Sequence, residues 1–244
     1  MNRILVIEHA DSCPVARIGE WLLDHGAILD VRRGHAGDPV PTTMAEAQAD
    51  GVVIMGGPQD SWDDDAGTWF AATRSLAADA VRVGAPVLGI CLGHQILALA
   101  LGGSVGRGPA TQRGARPITA TEAGEKDPVI GALEPDAAML HWNTDLVLTA
   151  PEGATVLATI DLAGAEPGIQ AFRQGSALGL QGHPEVTPAI VQQWVDDDVA
   201  ADRLSASQAA ALSAAHGRDD QQLARTGRAI IDAWLATSGG IASK

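Results

Sequence analysis

Several things are scarce in these 244 residues, and each scarcity narrows what the chain does. There are two cysteines, Cys13 and Cys91, and no tyrosine. Two cysteines do not build a disulfide framework, so the sequence points to a reducing compartment, the cytoplasm. Basic residues are few: Lys and Arg number 16 against 30 Asp and Glu, a formal charge of −14. Nucleic acids and anionic membranes are held by clustered Lys and Arg that neutralise phosphates. The densest such cluster here is the pair Arg32-Arg33, so neither is expected as a partner. The acidic balance serves solubility instead. Long apolar runs are missing too, and none approaches the ~20 residues that span a bilayer. The first residues, Met1 to Glu8, meet an acid after four apolar positions and read as a strand, not a signal peptide.

What is present is an alternation of strand and helix. Ile4–Ile7, Ala27–Val31, Gly51–Met55 and Pro86–Ile90 are short apolar runs, the pattern of strands buried on both faces. Helical periodicity marks 15–25, 68–83 and 93–101, each followed by glycine. This order predicts an α/β fold, a doubly wound and mostly parallel sheet flanked by helices. From about residue 116 to 181 the runs Ala138–His141, Thr155–Ile160, Ile169–Phe172 and Ala177–Gln181 suit added antiparallel strands. The tail from Pro188 to Thr237 is helix-prone. With no repeat and no linker, residues 1–244 read as one domain, with a core over about 1–200 and a helical extension over about 200–238. Such a chain hides roughly 70–75% of its unfolded surface.

Chemistry concentrates in three segments. Gly89-Ile90-Cys91-Leu92-Gly93 places a nucleophile between two glycines on a strand-to-helix turn. Small neighbours let the chain turn sharply there, and the side chain faces the crevice at the carboxyl end of the sheet. The N-terminus of the following helix favours a negatively charged sulfur, and the Leu92 N–H is placed for a developing oxyanion. Cys91 alone reads equally well as a small buried hydrophobe. Leu180-Gln181-Gly182-His183-Pro184-Glu185 decides between the two, because a thiol nucleophile needs a base and the base needs an orienting group. His183 lies 92 positions after Cys91, yet both end predicted strands of one parallel sheet. Gly56-Gly57-Pro58 ends another such strand, and the Gly57 N–H is assigned as the second oxyanion donor.

Taken together, these three segments in this order resemble the class I, or triad, glutamine amidotransferases, notably the stand-alone relatives of the GMP synthase amidotransferase domain. The likeness covers about residues 1–200. It implies a flavodoxin-like amidotransferase fold that hydrolyses the glutamine side-chain amide to glutamate and ammonia, with no metal or other cofactor. By resemblance Cys91 forms a γ-glutamyl thioester, His183 hands its proton to ammonia and then activates water, and Glu185 orients His183. Gln95 and Pro58 fall at substrate-contacting positions. Asp145, in His141-Trp142-Asn143-Thr144-Asp145, binds the α-ammonium of glutamine, as suits a carboxylate. The sequence departs from the family where Gly182 replaces a usual Phe, expected to widen the pocket or free the loop, and where Asn143-Thr144 replaces a frequent His-Gly. Substrate preference is therefore left between glutamine and γ-glutamyl peptides or conjugates. A third reading, a silent regulatory chain, is disfavoured by the intact triad. No synthase segment is legible, so an ammonia acceptor is expected on a separate chain.

Other features read as structure. Asp63-Asp64-Asp65 and Asp196-Asp197-Asp198 are expected as solvated loop and helix-end residues, Cys13 as a structural thiol, and His94 as no base. Ser238-Gly239-Gly240-Ile241-Ala242-Ser243 faintly echoes a pyrophosphate loop but lacks its Asp and is expected as tail.

Overall fold

The computed structural model describes residues 3–162 and 165–238. Gly239 to Ser243 of the pyrophosphate-loop echo lie outside them. An eight-stranded sheet runs β2-β1-β3-β4-β10-β9-β8-β6. Its parallel half is β2 (Ile28–Arg33), β1 (Arg3–Glu8), β3 (Gly51–Ile54), β4 (Val87–Ile90) and β10 (Ala177–Leu180). Its antiparallel half adds β9 (Gly168–Gln174), β8 (Thr155–Ile160) and β6 (Thr119–Ala120). This is the mostly parallel α/β architecture that the alternating pattern predicts.

Period-two side-chain alternation divides the core into two layers. Ile4 and Val6 pack on one face of the sheet with Ile18, Trp21 and Leu22 of α1 (Ala16–Asp24) and with Ile230 and Trp234 of α6 (Ala206–Thr237). Leu5 and Ile7 pack on the other with Leu76 and Ala80 of α3 (Phe70–Val83) and Leu97 of α4 (Leu92–Ala100). Met44 of the short α2 (Met44–Ala47) joins that second layer. Helix α6 is thus no loose tail. It starts with a capping box, in which Ser205 accepts from the Gln208 N–H and the Gln208 side chain accepts from the Ser205 N–H. Its far end supplies Trp234, fully buried.

One long strand, β5 (Ser104–Pro117), lies outside the expectation, while its partner β7 (Ala138–Thr149) extends the expected run Ala138–His141. The two form a separate antiparallel ribbon, with a register break between Arg107 and Gln112. The β5 segment, SVGRGPATQRGARP, is rich in arginine and glycine and has almost no apolar alternation, so nothing local announces a strand. Its ladder is specified by β7. The ribbon brings Arg107 and Arg113 toward the carboxyl edge of the main sheet, and α5 (Pro188–Ala200) brings Trp194 and Asp198 there.

No helix among the described residues is long and apolar enough to cross a membrane.

Candidate active site

Cys91 follows β4 directly, with φ +51° and ψ −105°, a conformation that non-glycine residues rarely adopt. Two backbone bonds hold it there: its N–H donates to Leu180 O at 2.8 Å, and its carbonyl accepts from Gln95 N at 3.1 Å. The flanking glycines are steric requirements. A Cβ on Gly89 would stand 2.6 Å from the Gly93 carbonyl oxygen, and a Cβ on Gly93 would fall on the carbonyl oxygen of Ile54.

His183 reaches the same place from β10. Its N–H donates to Leu140 O at 2.7 Å, which clips the segment to β7, and its ring lies edge-on to Trp194 with centroids 4.7 Å apart. Gly56 separates and joins the two side chains. Its Cβ position is 2.9 Å from His183 Cε1 and 3.6 Å from the Cys91 Cβ. On the far side of the ring, Nδ1 lies 2.8 Å from Glu185 Oε1, and both side chains are buried. Burial of the ring favours its neutral form. The facing negative charges of Cys91 and Glu185 outweigh that, pushing the His183 pKa up to about 10.

The other expected residues surround this group. Gly57, Pro58, Leu92, Gln95 and Asp145 all line a cavity of about 270 Å³ that opens on Cys91. The Gly57 Cβ position is 2.7 Å from the Leu92 side chain and 2.8 Å from the His9 Cβ, so the turn fits only glycine. Gln95 Nε2 donates to the Asp145 carbonyl at 3.1 Å, and Asn143 Nδ2 donates to the same oxygen at 3.0 Å. Asp145 is not open: Arg107 donates to its Oδ1 at 2.6 Å and to Asp60 Oδ2 at 2.8 Å.

Two expectations need correction. Gly182 does not widen the cavity, since its Cβ direction is closed by Met139 Cβ at 2.6 Å and His141 Nε2 at 3.2 Å, away from the cavity. Asp198 is no solvated helix end. It is buried and paired with Arg113 and Arg203, at 2.7 and 2.6 Å. Cys13, expected as a structural thiol, is buried in an apolar cluster with Leu140 and Trp194, and it also lines a cavity shared with Cys91 and His183. The other features stand as read. Asp63, Asp64 and Asp65 are exposed. His94 is fully buried against Phe172, and burial lowers its pKa to about 3, so it is neutral.

Sequence reasoning missed Arg107, Trp142, Trp194 and Gln181 as site residues. Gln181 sits inside the His183 motif, and its Nε2 donates to Cys91 Sγ at 3.7 Å. That neighbour of a sulfur was legible from its place in the motif. The Arg107 position was not, because β5 was not.

Comparisons with known proteins place the chain in a family and a fold. Over 145 residues the chain is 33% identical to the glutamine-hydrolyzing GMP synthase subunit of Halobacterium salinarum, covering 59% of this chain and 71% of that protein. Over 150 residues it is 37% identical to gamma-glutamyl peptidase 5 of Arabidopsis thaliana, covering 60% of this chain and 58% of that one. The fold matches the crystal structure of a glutamine amidotransferase from Thermotoga maritima with a TM-score of 0.81 at 22% identity, covering 97% of this chain and 99% of that one. The family model for Glutamine amidotransferase class-I matches residues 25–198. The chain belongs to the class-I glutamine amidotransferase family.

Proposed function

We propose that the protein hydrolyses the side-chain amide of glutamine to glutamate and ammonia. The observation that carries this reading is the strained Cys91 turn with the His183–Glu185 pair facing it across Gly56. Cys91 Sγ attacks the amide carbon, and the oxyanion is met by the N–H groups of Gly57 and Leu92. His183, held protonated by its two anionic neighbours, delivers its proton to the leaving nitrogen as the C–N bond breaks. A γ-glutamyl thioester remains. His183, now neutral, takes a proton from water, which attacks the thioester and regenerates the thiolate. Glu185 keeps Nδ1 protonated, so that Nε2 does the transfers. Asp145 receives the α-ammonium, and Gln95 and Pro58 shape the rest of the glutamine site.

Similarity to the haloarchaeal GMP synthase component supports a further step, in which ammonia passes to a separate synthase chain. No metal or organic cofactor is called for by this scheme, and a cytoplasmic setting suits a free thiol nucleophile. A second reading, hydrolysis of γ-glutamyl peptides, is favoured by the likeness to the Arabidopsis peptidase.

The test is glutamate release from glutamine by the wild-type chain and by Cys91→Ala, with and without a synthase partner, plus mass analysis after exposure to a glutamine-like diazoketone. Release and a single adduct on Cys91 are expected from wild type. Release no greater than that of Cys91→Ala under both conditions, with no adduct, would sink the proposal.

A further inference from the structure

The space around Cys91 has two lobes, and glutamine accounts for one. The polar lobe holds Leu92, Gln95, Arg107 and Asp145 and does not reach His183. The second lobe, a cavity of about 130 Å³, is lined by both Cys91 and His183 and walled by Cys13 and Trp194, and by Trp142 and Arg203, which stand between it and the polar lobe and line both. His183 identifies its role. The group that protonates the departing nitrogen must face it, while the oxyanion donors face the carbonyl oxygen on the other side. Ammonia is no larger than water, and a water needs only about 10–15 Å³ of such space. The lobe offers roughly ten times what the leaving group of glutamine occupies.

We propose that this lobe is a leaving-group site for the γ-glutamyl amides of flat, apolar amines. The inference rests on the thioester reading of Cys91. The walls decide the class. Trp142 and Trp194 stand with ring centroids 5.9 Å apart. The Trp194 indole N–H is already spent on the Ser12 carbonyl at 2.8 Å, so the ring offers only its apolar surface. Burial keeps the Cys13 thiol protonated and neutral. The rim offers no spare cation: Arg203 pairs with Asp198, which Arg113 also holds from the polar lobe, and Asp197 adds a second carboxylate. A leaving group bearing its own carboxylate, as in a γ-glutamyl peptide, therefore meets no unclaimed cation on these walls. An uncharged aromatic amine meets two indoles.

The chemistry balances. Sγ attacks the amide carbon, the C–N bond breaks, and the His183 proton goes to the nitrogen, which departs into the lobe as a neutral amine. Run backwards, an amine seated in the lobe attacks the thioester, gives a proton to His183, and leaves as a new γ-glutamyl amide with Cys91 restored.

The test compares kcat/KM of the full chain for glutamine, γ-glutamylbenzylamide and γ-glutamylglycine, all read as glutamate release. The thioester is common to all three, so kcat/KM isolates the leaving group. The benzylamide is expected to reach at least one-tenth of the glutamine value and to exceed γ-glutamylglycine at least tenfold. Trp142→Ala, which removes a wall, and Cys13→Phe, which fills the lobe, each checked for native fold by circular dichroism, are expected to lower the benzylamide-to-glutamine ratio. A fall of at least threefold in either supports the site. Glutamine turnover with the benzylamide below one-tenth, or with a ratio that neither variant moves threefold, overturns the leaving-group site and leaves the glutaminase reading standing. Benzylamide less than tenfold above γ-glutamylglycine overturns the apolar assignment. No turnover of any substrate, with or without a synthase partner, and no diazoketone adduct on Cys91 overturns the Cys91 reading itself.

Discussion

Arg107 donates to the Asp145 carboxylate at 2.6 Å, directly opposite it in the β5–β7 register and just before the ladder breaks. Burial raises the pKa of the Asp145 carboxyl, and the guanidinium pulls it back toward the charged form. A free amino acid carries one charge of each sign at its α-carbon. It can replace this pair with two new ones, ammonium to Asp145 and carboxylate to Arg107. Arg107→Met is therefore expected to raise KM for glutamine by about 10–100-fold, the worth of a charged hydrogen bond of about 1.5–3 kcal/mol, with a smaller change in kcat. Steady-state kinetics check it. A lowered KM would mean that Arg107 only blocks Asp145.

The buried His183–Glu185 contact at 2.8 Å sets the second expectation. Glu185→Gln keeps the shape but no longer secures the Nδ1 proton. A loss in kcat/KM on the order of 10²–10⁴ is expected, the range for a disabled proton-transfer group. The pH profile should move with it, because the variant removes one of the two charges that hold the His183 pKa near 10. An unchanged alkaline limb would argue that Glu185 is structural.

Stability should form a dome in pH. His9 and His94 have pKa values lowered to about 3, and His141 to about 4, each first by burial. The unfolded chain binds their protons near pH 6.5 while the native chain does not, so stability falls as pH falls below 6.5. Three such protons give a slope of up to about 4 kcal/mol per pH unit. His183 works the other way: its raised pKa contributes stability that is full below 6.5 and is lost as pH rises toward about 10. Urea titrations from pH 5 to 10 measure both limbs, and His94→Gln should flatten the acid limb by about a third.

Gly182→Phe introduces the residue that the resemblance to the family leads one to expect at this position. Because Met139 Cβ and the Leu140 carbonyl close its side-chain direction, the ring is forced into β7 and not into the cavity. Overpacking of this kind costs about 1–3 kcal/mol, visible as a lowered urea midpoint. Relative rates on glutamine and γ-glutamyl amides should change far less.

Trp234→Ala tests how α6 holds the first core layer. The ring is fully buried among α1 and sheet residues. A loss of about 3–5 kcal/mol is expected from the transfer and cavity terms. Near-neutral stability would show α6 to be dispensable.

Local signals were enough for the parallel half-sheet. Its apolar runs report strands buried on both faces, and such strands tell their positions without reference to partners. The Cys91 turn was equally legible, because Gly89 and Gly93 are demanded by atoms close in the chain or in the adjacent strand. The His183-Pro184-Glu185 motif declared itself by residue type. Tertiary structure alone decided what surrounds these groups. The polar strand β5 exists because β7 pairs with it, so neither the Arg107–Asp145 pair nor the burial of Asp198 between two arginines had a local trace. The second lobe depends on loops after β1, β3, β4 and β10 meeting β7 and α5 at one edge. Spacing along the chain carries no information about that meeting, since segments from Cys13 to Arg203 are joined there only by the fold.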